Sequence, residues 1–252
     1  MLTAERHARI LEALARDGRV VTAELTARLG VSLDTVRRDL DDLEAAGSLR
    51  RVRGGAMPPA TAVPPAFGAR VDQRTAEKAA IADRAAGLVA GFDVVLLGGG
   101  TTMVELARRW PVGGRTTCLT PSLDVAGALL GRSGVEVVLL GGRVLPETRL
   151  AAGPDTVAAI EQVRADACVL GTCALDAATG ITLYERDEAL IAGAMIAASR
   201  TTIVLADADK LGTDGLFVAA PAARLGTVVT DASAPPASLD ALRTAGVEVV
   251  RA

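Results

Sequence analysis

From about residue 93 onward the chain repeats one pattern. Short runs of Val, Leu, Ile and Ala, at 93–97, 116–120, 135–140, 167–170, 202–205, 227–230 and 247–250, alternate with polar or helix-periodic stretches. Helical spacing is clearest at 103–110, 123–130 and 187–199. A strand covered on both faces must be apolar almost throughout, so this alternation predicts an α/β domain with a mostly parallel, Rossmann-like sheet. With 50% apolar residues but only 2% aromatic ones, the core must be built from aliphatic side chains. No internal repeat is evident.

The first 57 residues read differently. Ile10, Leu11 and Leu14 mark one face of a helix over 4–15, ended by Asp17-Gly18. Thr22 is placed to cap a second helix with Leu25 and Leu29 inward and Gly30 just past its end. Ser32 is placed to cap a third, whose buried stripe is Val36, Leu40 and Leu43 and which Gly47 stops. Two short helices around Gly30-Val31 have helix-turn-helix spacing. The alternating arginines of 49–56, ending in Gly54-Gly55, read as a β-hairpin wing.

This organisation predicts a winged helix-turn-helix domain at 1–57, a linker at 58–74 and a larger α/β domain at 75–252. The linker expectation rests on Pro58-Pro59, Pro64-Pro65 and the surrounding alanines, a composition that favours extended, semi-rigid chain.

Net charge is −3, but its distribution matters more than its sum. Residues 1–57 hold 10 Arg against 9 acids, and the remainder holds 17 cations against 21 acids. Five of those ten arginines, Arg37, Arg38, Arg50, Arg51 and Arg53, fall on the third helix and the wing. Those are the two elements a winged helix presents to DNA. Ser32, Thr35, Arg37, Arg38, Arg50, Arg51 and Arg53 are therefore the candidate contacts to double-stranded operator DNA. Arginine suits paired contact with a guanine edge and hydroxyls suit a phosphate or base.

In an open α/β sheet, ligands bind beyond the carboxyl ends of the strands. Gly98-Gly99-Gly100-Thr101-Thr102 stands at such an end, between a strand and a helix. Glycines let backbone N–H groups approach an anion, the helix start adds positive potential, and two threonines add hydroxyls. The stretch has neither the GK[ST] ending of a P-loop nor the GxGxxG fingerprint, which argues against a nucleotide cofactor. Other strand ends carry Ser122, Gly141-Gly142, Gly171-Thr172, and Asp207 through Lys210. Only two lysines, Lys78 and Lys210, occur beside 25 arginines. A compact ammonium suits a phosphate or carboxylate.

Several classes are disfavoured. His7 is the only histidine, which leaves zinc sites and Ser-His-Asp chemistry almost nothing to use, so no metal, catalytic residue or cofactor is expected. Cys118, Cys168 and Cys173 form no CxxC pair and read as buried thiols of a reducing compartment. No apolar run is long enough to span a bilayer and the start lacks a signal-peptide pattern, so a cytoplasmic protein with no membrane partner is expected.

Ser32-Leu33-Asp34-Thr35-Val36-Arg37-Arg38-Asp39-Leu40, with Gly47, Leu49 and Gly54-Gly55-Ala56, resembles the DeoR-type family of bacterial sugar-operon transcription regulators. Glu77-Lys78, Gly100-Thr101-Thr102, Gly141-Gly142, Gly153, Asp166, Gly171, Gly180, Glu188 and Asp207 with Lys210 extend the resemblance over nearly the full length. It implies an effector domain similar to sugar-phosphate isomerases and a small phosphorylated sugar or related metabolite as effector. Lys78, Gly99, Gly100, Thr101, Thr102, Ser122, Gly141, Gly142, Glu188, Asp207 and Lys210 are the candidate effector residues. The chain departs from the family pattern at Arg53, where histidine is usual, and at Gly98, Pro121 and Ala192-Gly193, where polar groups are usual.

The leading expectation is a DNA-binding regulator, a repressor of a carbohydrate operon, working as a homo-oligomer because one winged helix buries little surface on DNA. The competing class is an isomerase-like enzyme with an accessory N-terminal segment, for which Asp166, Glu185 or Glu188 would have to supply the base. A third possibility is a regulator whose pocket has lost its ligand and whose partner is another protein.

Overall fold

The computed structural model describes residues 2–17, 20–52, 54–57 and 65–252. The chain divides into two compact units, Met1–Val63 and Pro64–Ala252.

In the first unit, α1 (Thr3–Asp17), α2 (Thr22–Leu29) and α3 (Leu33–Ala45) enclose a core of Ile10, Leu14, Leu25, Val36, Leu40, Leu43 and Leu49. The strands β1 (Val20–Val21), β2 (Arg50–Val52) and β3 (Gly55–Met57) form an antiparallel sheet in the order β1-β3-β2. The expected hairpin is therefore present, and it has a third strand ahead of α2. Gly30 closes α2 in a left-handed conformation, and its N–H donates to the Thr26 carbonyl at 3.0 Å. Ser32 caps α3, accepting from the Thr35 N–H at 3.2 Å.

Thr22 does not cap α2. Val21 holds the cap position without a side-chain bond, and the Thr22 N–H donates to the Gly54 carbonyl at 2.8 Å instead. Pairing of β1 with the hairpin brings that carbonyl to an otherwise orphaned helix donor, which makes a side-chain cap unnecessary. Close approach also explains the paired glycines. A Cβ on Gly55 would lie 1.9 Å from the Val20 carbonyl oxygen, whereas Gly54 needs freedom from a side chain only for its φ of 88°.

The second unit opens with α4 (Phe67–Arg70) and α5 (Thr75–Val89). There follow β4 (Val94–Leu97), α6 (Thr101–Arg108), β5 (Thr116–Thr120), α7 (Leu123–Leu129) and β6 (Val135–Leu139). A hairpin of β7 (Arg143–Leu145) and β8 (Leu150–Ala152) leads into α8 (Pro154–Glu161) and β9 (Ala165–Gly171). Next come β10 (Ala174–Asp176), β11 (Gly180–Leu183), α9 (Arg186–Ala198) and β12 (Ser199–Leu205). The unit ends with β13 (Phe217–Ala220), β14 (Thr227–Thr230), α10 (Pro236–Thr244) and β15 (Glu248–Arg251).

All seven expected runs become strands of one parallel sheet, in the order β15-β14-β12-β9-β4-β5-β6. Val95 and Leu97 of β4 face a core made with α5, α6 and α7, while Leu96 faces the other core with α8, α9 and α10. This alternation is why the strands read as unbroken apolar runs. The hairpin and the antiparallel trio β10-β11-β13 were not foreseen, because strands of three or four residues carry too little pattern to be seen.

Of the stretch 58–74, expected as linker, 58–64 lies outside the described residues. From Phe67 on, the chain is ordered structure of the second unit. Phe67 is buried in the core that also holds Ile81 and Met103, its N–H donates to the Glu147 carbonyl at 2.7 Å, and the Arg149 guanidinium lies 5.2 Å from its ring centre. One aromatic side chain, hidden among prolines and alanines, anchors the segment.

Sheet order locates the crevice. The chain runs outward from β4 to β5 and β6, then returns to the other side of β4 and runs outward from β9 to β15. The direction reverses between β4 and β9. Loops leaving these two strands diverge there, and such switch points form ligand crevices.

Candidate DNA interface and effector site

Seven residues were expected at the DNA surface, and six can be placed. Ser32 and Thr35 sit at the start of α3 with hydroxyls 2.8 Å apart, so the cap and the candidate contact share one hydrogen-bonding unit. Arg37 is exposed and lies 3.7 Å from Asp34. Arg38 is exposed and, among the described residues, has no ion-pair partner. Arg50 is half-buried on β2. Arg53 lies outside the described residues.

Arg51 stands apart. Its guanidinium pairs with Asp41 and donates to the Arg37 carbonyl at 3.1 Å, while its N–H donates to a Glu44 carboxylate oxygen at 2.5 Å. These bonds brace the wing on α3, a role the sequence did not suggest.

Sequence reasoning also passed over Asp39. It is 2% exposed, and it accepts from Arg6 Nε at 2.7 Å and Nη2 at 2.8 Å, with His7 Nε2 at 3.2 Å. The paired Arg6 bonds hold the carboxyl below its usual pKa, and the same bonds raise that of Arg6. A carboxylate inside the apolar stripe between Val36 and Leu40 was a readable sign that a cation had to meet it. The pair fixes α1 to α3 and so sets the attitude of the exposed arginines.

In the second unit, the turn after β4 packs tightly. The Gly98 N–H already donates to the Val169 carbonyl at 2.9 Å. A Cβ on Gly99 would lie 2.5 Å from Leu150 Cδ2, and one on Gly171 would lie 2.8 Å from the Gly99 carbonyl oxygen. Gly100 begins α6 with φ 109° and ψ 161°, Thr101 is buried, and Thr102 is half-buried. The first N–H groups of α6 remain the donors this turn can offer.

Ser122, Gly141 and Gly142 occupy the neighbouring strand ends, but their visible work is local. Ser122 is fully buried and caps α7, accepting from the Val125 N–H at 3.3 Å. The Gly141 carbonyl accepts from the Thr156 hydroxyl at 2.6 Å, and both glycines are exposed.

Lys78, Glu188, Asp207 and Lys210 do come together, and Arg70 joins them. Lys78 is 5% exposed and donates to the Arg70 carbonyl at 2.5 Å. Burial pushes its pKa down to about 8, although Asp207 opposes this; the charges of Arg70 and Lys210 push the same way as burial. Glu188, in the first turn of α9, is 7% exposed. Burial raises its pKa against the opposing pull of the Thr148 hydroxyl and Arg70. Asp207 caps the short turn Ala208–Lys210, accepting from the Asp209 N–H at 3.2 Å, and so carries Lys210. Cys173 is close enough to feel Glu188, Lys210 and Arg70, and burial raises its thiol pKa. Arg70 was missed because its surroundings read as linker.

Beside this cluster, Arg74 fastens α5 to two strand ends. Its guanidinium donates to Asp209 Oδ2 at 2.6 Å and to Asp231 Oδ2 and Ser233 Oγ, each at 3.3 Å. Among the described residues no group of His, Cys, Asp and Glu is arranged to hold a metal ion, and no helix is long and apolar enough to cross a membrane.

A helix-turn-helix with a wing, followed by a parallel α/β unit with a cluster of charged side chains, defines a DNA-binding regulator with a sensor domain. Residues 6–61 match the family profile described as DeoR-like helix-turn-helix domain, and residues 73–232 match that of the DeoR C terminal sensor domain. The chain belongs to the DeoR family of transcription regulators. It is 36% identical to the HTH-type transcriptional regulator GlpR of Haloferax volcanii, covering 99% of this chain and 98% of that one. It is 31% identical to the putative aga operon transcriptional repressor of Escherichia coli O157:H7 over 98% and 93% of the two chains. It is 28% identical to the glycerol-3-phosphate regulon repressor of Escherichia coli K12 over 95% and 94%. These relatives are regulators, so the isomerase alternative falls and the chain is not an enzyme.

Proposed function

We propose that this regulator represses a carbohydrate-metabolism operon and is released from its operator by a small phosphorylated metabolite. Residues 1–57 form the DNA-binding domain and 75–252, with α4 added, the sensor. DNA is held by α3 and the wing through Ser32, Thr35, Arg37, Arg38, Arg50 and Arg53, with Arg51 positioning the wing. The effector lies at the switch point between β4 and β9, its anion facing Lys78 and Lys210 and the start of α6 at Gly99, Gly100, Thr101 and Thr102. Glu188 and Asp207 complete the wall, and Ser122, Gly141 and Gly142 hold the adjoining loops in shape. The protein acts as a homo-oligomer, so that two winged helices read two half-sites.

The observation that carries this reading is the gathering of Arg70, Lys78 and Lys210 around Asp207 and Glu188. Of the acids near Lys78, Glu105 is already engaged by Arg108 and Arg109, and the buried ammonium itself bonds only a neutral carbonyl among the described residues, which suits it to an anion. The relative named for a glycerol-3-phosphate regulon supports a phosphorylated metabolite, and the relative named for an aga operon supports carbohydrate control.

Gel shifts on the DNA upstream of the protein's own gene, with and without a panel of sugar phosphates, test the reading. One phosphate ester should weaken operator binding by roughly 5–150-fold, and DNA should weaken its binding by the same factor. Lys210→Ala should abolish the response and leave ligand-free DNA binding intact. Retention of the response in that variant, or operator binding indifferent to every ester, would sink it.

A further inference from the structure

The contact between Lys78 and α4 has a consequence for regulation. The Lys78 ammonium is buried, yet among the described residues its one side-chain hydrogen bond goes to a neutral acceptor, the Arg70 carbonyl at 2.5 Å. A buried ammonium is better satisfied by an anion than by a carbonyl. Arg70 is incomplete too. Its Nε is buried and, among the described residues, has no hydrogen-bond partner. Its guanidinium lies within reach of the Lys78 ammonium, the Glu188 carboxyl and the Cys173 thiol. Glu105, the other acid near Lys78, is engaged by Arg108 at 2.8 Å and by Arg109. The side chain of one residue and the carbonyl of the same residue thus flank the place where an anion would sit.

The two helices are held very differently. α5 is pinned at its start by Arg74 to Asp209 and Asp231, and Asp231 Oδ2 also accepts from the Ala208 N–H at 2.7 Å. Lys78 and Lys210 therefore belong to one stiff frame. α4 is a single turn of four residues, fastened by Phe67 and by the Lys78 bond to the Arg70 carbonyl. It is also the first helix of the second unit, which begins at Pro64.

We infer that Arg70 and Lys78 bind the anionic end of the effector, and that the Lys78 bond to the Arg70 carbonyl is the latch that occupancy opens. When an anion arrives, the Lys78 ammonium turns to it, the Arg70 carbonyl is left with the longer bond from the Gln73 N–H at 3.3 Å, and the Arg70 guanidinium is drawn onto the same anion. α4 then shifts against the fixed frame, and its movement passes along the chain toward the DNA-binding unit. Ligand affinity and helix position become one equilibrium, which a coupled sensor requires. This inference rests on the anion site proposed above and adds to it the element that reports occupancy.

Inorganic phosphate and sulfate, at matched ionic strength against chloride, test it on the full-length protein without knowledge of the natural effector. Calorimetry on wild type, Arg70→Lys, Arg70→Gln, Lys78→Met and Lys210→Ala is paired with hydrogen exchange over 66–70. Lys78→Met removes a buried charge without opening a cavity, and retention of the Trp110 emission checks folding. The inference expects at least about tenfold weaker anion binding in Arg70→Gln and Lys78→Met, with partial recovery in Arg70→Lys. It also expects anion-dependent acceleration of exchange at Phe67 and Ala69 in wild type, and constant fast exchange there in Lys78→Met. Binding weakened by Lys210→Ala alone overturns the inference and spares the site. Weakened binding with no change in exchange overturns the latch. No binding of either anion to wild type overturns the site and the latch together.

Discussion

Gly55→Ala gives the sharpest test of how the wing is built. The new Cβ would stand 1.9 Å from the Val20 carbonyl oxygen and 3.0 Å from its carbon, and backbone cannot yield as a long side chain can. Relief requires β3 to leave β1, breaking the register Val20↔Ala56 and Val21↔Gly55 and the Thr22 bond to Gly54. Exposing Val20, now 5% exposed, costs about 2 kcal/mol, and two or so lost hydrogen bonds cost about 1 kcal/mol each, for a total of about 4 kcal/mol. A unit this small is stable by only about 3–8 kcal/mol, so the wing should detach or the unit should be partly unfolded. Gly54→Ala, with open space around it and a φ of 88°, should cost only about 1–2 kcal/mol. The assay exploits an accident of composition. Every aromatic residue (Phe67, Phe92, Trp110, Tyr184, Phe217) lies in the second unit, so fluorescence there is an internal control. Gly55→Ala should lose operator binding and protection from hydrogen exchange at 20–57 with an unchanged Trp110 signal. Wild-type DNA affinity and exchange in that variant would refute the reasoning, and so would equal effects from the two glycines.

The remaining expectations concern charge. Arg38→Ala should cost about 1–3 kcal/mol on the operator and relax specificity at one base position, whereas Arg51→Ala should weaken all sequences through the wing, with a smaller change in salt slope than a phosphate contact gives; competition titrations at several salt concentrations separate the two. Binding of sulfate, which stays dianionic, should fall as pH rises through about 8, because Lys78 must be protonated to hold it. Since burial lowers that pKa from the unfolded value, the stability of the second unit should rise over the same interval, and Lys78→Met should flatten both profiles. The Asp39 carboxyl is held below its usual pKa, so its contribution is present above the ordinary carboxylate range and lost as pH falls through the lowered value. Acid unfolding of the first unit followed by hydrogen exchange should lose that slope in Asp39→Asn.

What the sequence disclosed follows from how many residues carry each signal. Seven parallel strands were legible because each is buried on both faces and so is apolar throughout. The helices of the first unit were legible from Val36, Leu40 and Leu43 and from Gly30 and Ser32 at their ends. The hairpin β7-β8 and the trio β10-β11-β13 were not, since their short strands are specified by contacts with distant chain such as that between Gly99 and Leu150. Thr22 shows the same limit. A residue ideal for capping is left without that duty because a carbonyl from Gly54 arrives first.

The site divides along the same line. Lys78, Asp207 and Lys210 stood out by rarity or by position at a strand end, and they do converge. Ser122, Gly141 and Gly142 stood out equally, yet Ser122 caps α7 and the Gly141 carbonyl accepts from Thr156 of α8. Arg70 and Arg74 had no such mark. Both lie in a stretch whose prolines and alanines suggest a passive connector, and both acquire meaning only when folding brings Lys78, Asp209 and Asp231 to them. An arginine is common in this chain, so its presence says little. What distinguishes these two is the groups they meet, and those are set by the fold around them rather than by their neighbours in sequence. In a regulator this is the expected place for the unreadable part. Residues that bind can be marked by their chemistry alone, but residues that couple two states must touch both, and only tertiary structure shows which ones do.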